Sequence, residues 1–116
     1  MDDLPEVKSW DVEKLGEMTL GKIREKFAPA GHFRISKYEY PAGTEFTGAA
    51  REGECYVLQG QVMYRFEKFG FEISLSAGEF ANLPSGTYRL SVGTNEAVSL
   101  VMVWELPAEF WRNLPK

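Results

Sequence analysis

Two glycine-bounded segments decide the fold of this chain: GTEFTGAAREGECYVLQG, residues 43–60, and GEFANLPSGTYRLSVG, residues 78–93. Each combines short apolar runs with glycine or proline turns, a pattern typical of β-strands joined by tight hairpins. Between them, residues 62–76 alternate apolar and polar side chains about a turn at residues 68–70, which predicts a β-meander. We therefore predict an all-β domain, an antiparallel sandwich or barrel centred on residues 43–104.

The flanking residues predict an arm and two short helices. Residues 1–18 are mostly polar with a few apolar anchors such as Trp10, and we interpret them as an arm that lies against the barrel or against a second subunit. Apolar residues at helical spacing predict a helix over residues 19–27, and Pro107 suits the first turn of a helix over residues 107–113. The chain thus divides into an N-terminal arm and short helix (residues 1–31), a barrel (residues 32–106) and a C-terminal short helix (residues 107–116) within a single domain.

The first predicted strand of the barrel changes phase along its length. Phe33 and Ile35 alternate with polar residues, as in a half-buried strand. Tyr38 and Tyr40 fall on the other parity, which predicts a β-bulge near Lys37.

Composition and charge narrow the class of function. The 116 residues carry a net charge of −4 with no cluster of Lys and Arg, so a nucleic-acid partner is not expected. No apolar run reaches the ~18 residues that a membrane-spanning helix needs. Cys55 is the one cysteine, and the acidic N-terminus with Asp2 and Asp3 lacks the charge of a secretory signal. We expect a cytoplasmic protein that binds neither nucleic acid nor a membrane.

The two segments resemble the motifs of the cupin family. In the family's second motif, five residues separate a glycine from Pro-x-Gly, and Gly78, Pro84 and Gly86 have that spacing here. The first motif is matched at its ends only, by Gly43 and Gly60. This resemblance implies a cupin-like double-stranded β-helix, a jelly-roll barrel, with short N- and C-terminal helices.

The resemblance also locates the positions of the family's metal ligands. In cupins, two histidines and a glutamate of the first motif and one histidine of the second hold a divalent metal. The corresponding positions here are Thr47, Ala49, Gly53 and Arg89. Arginine keeps its proton and cannot ligate a metal, and a single neighbouring carboxylate, Glu52 or Glu54, does not make a transition-metal site. The resemblance therefore implies the fold, with neither a metal nor another cofactor.

Arg89 supports two interpretations. In the register of the resemblance its guanidinium projects into the barrel, where a buried charge must have a partner. It either clamps an anionic ligand, a carboxylate or a phosphate, or it forms an internal ion pair with Glu45, Glu52 or Glu54.

The remaining candidate residues either lie on the same strand face as the family's metal-ligand positions or add aromatic surface to the cavity. Arg51 lines the cavity or belongs to a solvated loop, and Cys55 lines it or is a small buried apolar residue. Aromatic side chains form the pocket or simply pack the core. The predicted ligand-binding residues are Arg89, Arg51, Glu45, Thr47, Tyr64, Cys55 and Tyr88, with Tyr40, Tyr56 and Trp104 as further aromatic lining.

Three functions are compatible with these residues. The leading hypothesis is a metal-free cupin that binds a small molecule in its barrel, anionic if Arg89 clamps it, as a sensor or accessory protein. One alternative is a metal-independent isomerase or epimerase in which tyrosines transfer protons. Another is a protein-interaction module whose barrel is filled by its own side chains. A homodimer is expected, and four apolar residues are predicted to form its contact or to pack on their own barrel: Trp10, Phe110, Trp111 and Leu114.

Overall fold

The structure, a computed structural model, describes residues 5–29 and 32–106. In chain order its elements are β1 (Lys8–Ser9), α1 (Val12–Leu15), α2 (Leu20–Phe27), β2 (Phe33–Tyr40), β3 (Glu45–Ala50), β4 (Gly53–Gln59), β5 (Gln61–Phe66), β6 (Phe71–Ser76), β7 (Glu79–Leu83), β8 (Gly86–Val92) and β9 (Val98–Glu105). The strands form two antiparallel sheets, ordered β1-β7-β4-β9-β2 and β3-β8-β5-β6. The predicted all-β jelly-roll architecture is confirmed.

The main core lies between the two sheets and follows from strand alternation. In β5, Val62, Tyr64 and Phe66 are buried while the residues between them are more exposed, and β8 buries Leu90 and Val92 in the same way. These side chains meet Cys55 and Val57 of β4 and the inward residues of β9, so one apolar core connects the inner faces of the two sheets.

A second, smaller core lies on the outer face of the five-stranded sheet. Strands β4 and β9 are buried on both faces, because the arm and α2 cover the face that points away from the barrel. The buried residues of this second core are Trp10, Met18, Ile23, Tyr56, Val101 and Val103.

The N-terminal arm lies against its own barrel. Strand β1 pairs with β7, and Trp10 is only 7% exposed, with its ring packed edge-on against Tyr56 and Phe80. Of the two arrangements considered for Trp10, the structure has the packing on its own barrel. The helix predicted over residues 19–27 is confirmed as α2, with Thr19 as its N-cap.

Strand β2 contains no bulge, so the prediction of one near Lys37 is wrong. The strand pairs with β9 without interruption over Phe33–Tyr40. Phe33 and Ile35 pack on the second core, whereas Tyr38 and Tyr40 pack on the main core. The apparent change of phase arises because both faces of one regular strand are half-buried.

Part of the prediction for the C-terminus concerns residues that the structure does not describe. The helix over residues 107–113 and the residues Phe110, Trp111 and Leu114 lie outside the described residues. No helix in the described part of the chain is long and apolar enough to span a membrane.

Candidate functional site

A cavity of about 560 Å³ lies between the two sheets. Its wall is largely aromatic, with four tyrosines and one tryptophan: Tyr38, Tyr40, Tyr64, Tyr88 and Trp104. Phe66, Leu90 and Met102 add apolar surface, so polar groups form a minority of the wall. This volume and this composition are typical of a small-molecule pocket.

The aromatic rings come from four strands of both sheets. Tyr38 and Tyr40 project from β2 with parallel rings 6.3 Å apart, and the ring of Trp104 meets Tyr38 edge-on at 6.3 Å. From the other sheet, the rings of Tyr64 and Tyr88 lie 5.4 Å apart at 65°. Mutual contact among the rings fixes their orientation, which gives the cavity a defined shape.

Two inward-facing glycines make room for two of these rings. Tyr88 lies across its cross-strand partner Gly48, and a Cβ atom at Gly48 would be 2.9 Å from the Tyr88 hydroxyl. Gly53 is buried, and the indole of Trp104 covers it. Any larger residue at either glycine would displace the aromatic ring that now forms the wall.

The innermost polar groups are a phenol and a thiol. The hydroxyl of Tyr64 lies 3.5 Å from Sγ of Cys55 and 4.0 Å from Sδ of Met102. Burial raises the pKa of the Cys55 thiol to about 12, despite the opposing effect of its contact with Tyr64. Burial also raises the pKa of Tyr64, and the neighbouring Cys55 adds to that increase. Both groups are therefore uncharged at neutral pH.

Tyr40 and Tyr88 are also held in the neutral form. Burial is the main cause that raises the pKa of Tyr40 and of Tyr88, and nearby phenols and the Cys55 thiol reinforce it. The rings of Tyr64 and Tyr88 lie 5.4 Å apart and those of Tyr38 and Tyr40 lie 6.3 Å apart, so the four phenols line one cavity. The cavity therefore presents a cluster of uncharged hydroxyl groups within an aromatic wall.

Three charged residues complete the lining: Arg34, Arg51 and Glu105. Glu105 is 3.3 Å from Nε2 of His32. Within residues 5–29 and 32–106, neither Arg34 nor Arg51 takes part in an ion pair. Both arginines are exposed, so they lie where the cavity meets solvent.

The architecture is similar to several solved structures of low sequence identity. A cupin domain from Schizosaccharomyces pombe aligns with a TM-score of 0.56 at 16% identity, over 74% of this chain and 66% of that one. A DUF861 family protein from Thermotoga maritima aligns at 0.56 and 21%, over 89% of this chain and all 100% of the other. The polyketide cyclase RemF from Streptomyces resistomycificus aligns at 0.56 and 19%, over 69% and 60%.

The chain has the cupin fold. No protein-family model matches the sequence, and no curated protein matches it. The predicted cupin-like fold is thus confirmed, and the cavity described above is the interior of its barrel.

Several predicted site residues lie at the interior of this cupin barrel. Tyr64, Tyr88 and Arg51 line the cavity, and Cys55 is buried against Tyr64. Tyr40 and Trp104 also line it. Ligand binding by these residues remains a prediction.

Three predicted site residues lie outside the cupin barrel, and the placement of Arg89 inside it is wrong. The Arg89 side chain is 55% exposed on the outer face of the four-stranded sheet, with Nη2 3.8 Å from Oε1 of Glu45. Glu45 and Thr47 are exposed on the same face. Strand alternation is the reason, since the buried Leu90 sets the inward parity and places Tyr88, not Arg89, in the cavity.

Tyr56 is also outside the cavity, contrary to the prediction. It projects from the opposite face of β4 into the second core, where it accepts a hydrogen bond of 3.0 Å from Nζ of Lys26 and donates one of 2.7 Å to Glu54. Burial, followed by the Glu54 carboxylate, raises the pKa of Tyr56.

Sequence reasoning missed Arg34 and Tyr38 as lining residues. Both face the cupin barrel from β2 at alternate positions with Tyr40, and the assumption of a bulge concealed that shared parity. The alternation of Arg34, Tyr38 and Tyr40 along one regular strand is the signal that would have found them.

The side chains of this barrel do not fit the divalent metal of the cupin family. Among the described residues, no group of three or more His, Cys, Asp or Glu side chains converges on a point. Of the motif positions, Thr47, Ala49 and Arg89 are exposed, and Gly53 has no side chain. Neutral phenols, two guanidinium groups and one carboxylate are not a donor set for a transition metal.

Proposed function

We propose that this cupin binds a small, largely aromatic anion in its barrel, as a sensor or accessory protein. One observation carries the proposal: a cavity of about 560 Å³ has an aromatic wall and two arginines at its edge that have no ion-pair partner among the described residues. A barrel filled by its own side chains is disfavoured, because this volume is within the range of drug-sized ligand pockets.

The wall favours a flat ligand. Aromatic rings stack on other rings or meet them edge-on, and each such contact contributes about 0.5–1.5 kcal/mol beyond the burial of apolar area. Tyr38 and Tyr40 offer parallel rings on one side, and Tyr88 and Trp104 bound other sides of the cavity. A ligand with one or two fused aromatic rings would use these surfaces.

The arginines favour a negative charge on the part of the ligand nearest to solvent. A guanidinium binds a carboxylate through two parallel N–H···O hydrogen bonds, which an uncharged group cannot match. Glu105 is the one acidic lining residue among those described, and it is already close to His32. In this proposal the ligand's negative charge is bound by Arg34 and Arg51, and not by Arg89.

The cavity is less suited to isomerase or epimerase chemistry. A tyrosine that removes a proton must first be ionised, and burial raises the pKa of Tyr40 and Tyr88. No histidine is among the described lining residues, and the one carboxylate among them, Glu105, lies 3.3 Å from His32.

Calorimetry with a matched pair of compounds tests the proposal. We expect 2-naphthoate to bind the wild-type protein at least about tenfold more tightly than its neutral amide, because a hydrogen bond to a charged group contributes about 1.5–3 kcal/mol. The double variant Arg34→Ala/Arg51→Ala should lose this preference, and Arg89→Ala should retain it. Equal affinity for acid and amide, or no binding of either compound at millimolar concentration, would overturn the proposal.

A further inference from the structure

The polar groups at the inner end of the cavity are hydrogen-bond donors that lack a strong acceptor. Tyr64 is 4% exposed, and its hydroxyl contacts two sulfur atoms, Sγ of Cys55 at 3.5 Å and Sδ of Met102 at 4.0 Å. Sulfur is a weak acceptor compared with a carbonyl or carboxylate oxygen. The hydrogen-bonding capacity of this phenol is therefore poorly used by the protein.

Three further phenols face the same cavity without a protein acceptor. Within the described ranges, the hydroxyls of Tyr38, Tyr40 and Tyr88 make no hydrogen bond to the protein. Polar groups in a partly buried site are expected to have partners, so these donors are suited to groups supplied by a ligand.

We propose that the four tyrosine hydroxyls form an inner subsite that donates hydrogen bonds to an oxygen atom of the ligand, such as an ether, ketone or phenol oxygen. The ligand is then an oxygenated aromatic acid, with its carboxylate at Arg34 and Arg51 and its second oxygen deep in the barrel. This inference rests on the proposed function, since it concerns the other end of the same cavity.

The electrostatics of the cluster agree with a donor role. Burial raises the pKa of Tyr40, Tyr64 and Tyr88, so these phenols keep their protons and can donate them in hydrogen bonds at neutral pH. The Cys55 thiol stays protonated as well. A neutral or partly negative oxygen atom is the complementary group, whereas an ammonium group would have no acceptor of comparable strength there.

The two ends of the cavity thus recognise different features of one molecule. Arg34 and Arg51 are exposed, whereas Tyr64 is almost fully buried. A ligand with its charge and its second oxygen at opposite ends of an aromatic system satisfies both ends at once. Losing the inner contact should weaken binding without reversing the orientation that the arginines impose.

A second pair of compounds tests the inner subsite. 6-Methoxy-2-naphthoate and 6-ethyl-2-naphthoate differ by an oxygen atom in place of a methylene group, far from the carboxylate. We expect the methoxy compound to bind the wild-type protein about three- to tenfold more tightly, the range of one net hydrogen bond. The variant Tyr40→Phe/Tyr88→Phe should clearly reduce this preference, because two of the four donors are lost, while its affinity for the ethyl compound stays the same. Tyr88→Phe alone should reduce the preference less, and Tyr56→Phe, outside the cavity, should leave it unchanged.

The outcomes separate this inference from the function on which it rests. Equal affinity of the wild-type protein for the two compounds overturns the inner subsite and leaves anion binding intact. A preference as large in the double Tyr→Phe variant as in the wild-type protein also overturns it. Failure of both compounds to bind overturns the proposed function, and the subsite with it.

Discussion

The indole of Trp104 lies directly against the backbone of Gly53, so that a Cβ atom at Gly53 would be 2.7 Å from Cδ1 of the ring. Gly53 is the position that the cupin motif assigns to a metal-binding glutamate. An aromatic ring from the neighbouring strand β9 thus covers the point from which that carboxylate would project. Gly48 and Tyr88 repeat the arrangement in the other sheet. Of these two glycines, Gly53 admits an aromatic ring at a position where the family places a metal ligand.

Replacing Gly53 with alanine should therefore destabilise the protein. The added Cβ would be 2.7 Å from Trp104 and also 2.7 Å from the carbonyl oxygen of Val103, and that backbone atom cannot move aside easily. Overpacking of this kind costs about 1–3 kcal/mol of unfolding free energy, measurable by urea unfolding. Gly93→Ala is the matched control, because nothing lies within 4 Å of a Cβ atom there. Equal stability of both variants would contradict the close contact.

Arg89→Ala should have little effect on stability or on ligand affinity. Its ion pair with Glu45 has an N–O distance of 3.8 Å, and both side chains are more than half exposed, at 55% and 57%. Exposed pairs of this kind contribute about 0–1 kcal/mol to stability. Urea unfolding and calorimetry with 2-naphthoate measure the two quantities. If Arg89→Ala lost binding while Arg34→Ala retained it, the anion site would be on the outer face of the four-stranded sheet and not in the cavity.

The turns of the fold could be predicted from the sequence because glycine conformation fixes them. Four glycines of the two motifs have positive φ: Gly43 at 79°, Gly60 at 80°, Gly78 at 89° and Gly86 at 139°. Few other residues adopt these angles, so the spacing of the turns is visible in the sequence. The start of α2 could be predicted for a similar reason, because an N-cap such as Thr19 is recognised from the residues next to it in the sequence.

The side-chain directions at the site could not be predicted from motif spacing. Spacing counts residues along the chain, whereas the cavity depends on which face of each strand is inward. For β8 the buried Leu90 decides this, and it reverses the expectation for Arg89. In β4 and β9 both faces are buried, so alternation gives no signal, and Tyr56, predicted to line the cavity, lies in the second core. The covering helix is a tertiary feature that a strand pattern does not encode.

Lys26 should anchor α2 to the outer face of the five-stranded sheet. Its ammonium nitrogen lies 4.8 Å from the ring centre of Phe80 and 5.3 Å from that of Tyr56, and it donates a hydrogen bond to the Tyr56 hydroxyl. We expect Lys26→Met to lower the unfolding free energy by about 0.5–2 kcal/mol, the range of a cation–π contact. Methionine keeps an apolar stem, so the loss reports mainly on the charge.

Lys22→Met on the same helix is the control for this anchor. Among the described residues, the Lys22 ammonium group has an exposed pair with Glu25, at 3.9 Å, as its only ion pair, and its loss should change stability by less than about 0.5 kcal/mol. Urea unfolding compares the two variants directly. If they are equally stable, the aromatic contacts of Lys26 do not hold α2 in place.

Alkaline pH should destabilise the protein through its buried acids. Burial raises the pKa of Cys55 from 9.0 to about 12 in the folded protein, so the unfolded chain loses this proton first as pH rises. The corresponding stability is fully present below the unfolded pKa and is lost progressively between the two values. One such proton lowers the unfolding free energy by up to about 1.4 kcal/mol per pH unit. The raised pKa values of Tyr40, Tyr64 and Tyr88 act in the same direction.

Urea unfolding over a pH series, together with thiol labelling, measures this effect. Above the pKa of the unfolded thiol, the unfolding free energy should fall less steeply with pH in Cys55→Ala than in the wild-type protein. The difference in slope corresponds to about one bound proton, and a decline remains because the tyrosines still contribute. In the native wild-type protein, a disulfide reagent near neutral pH should leave Cys55 unmodified, because the reactive species is the thiolate and the side chain is fully buried. Addition of denaturant should restore full labelling. Rapid labelling of the native protein, or a pH profile that Cys55→Ala leaves unchanged, would show that the thiol is not held protonated at the inner end of the cavity.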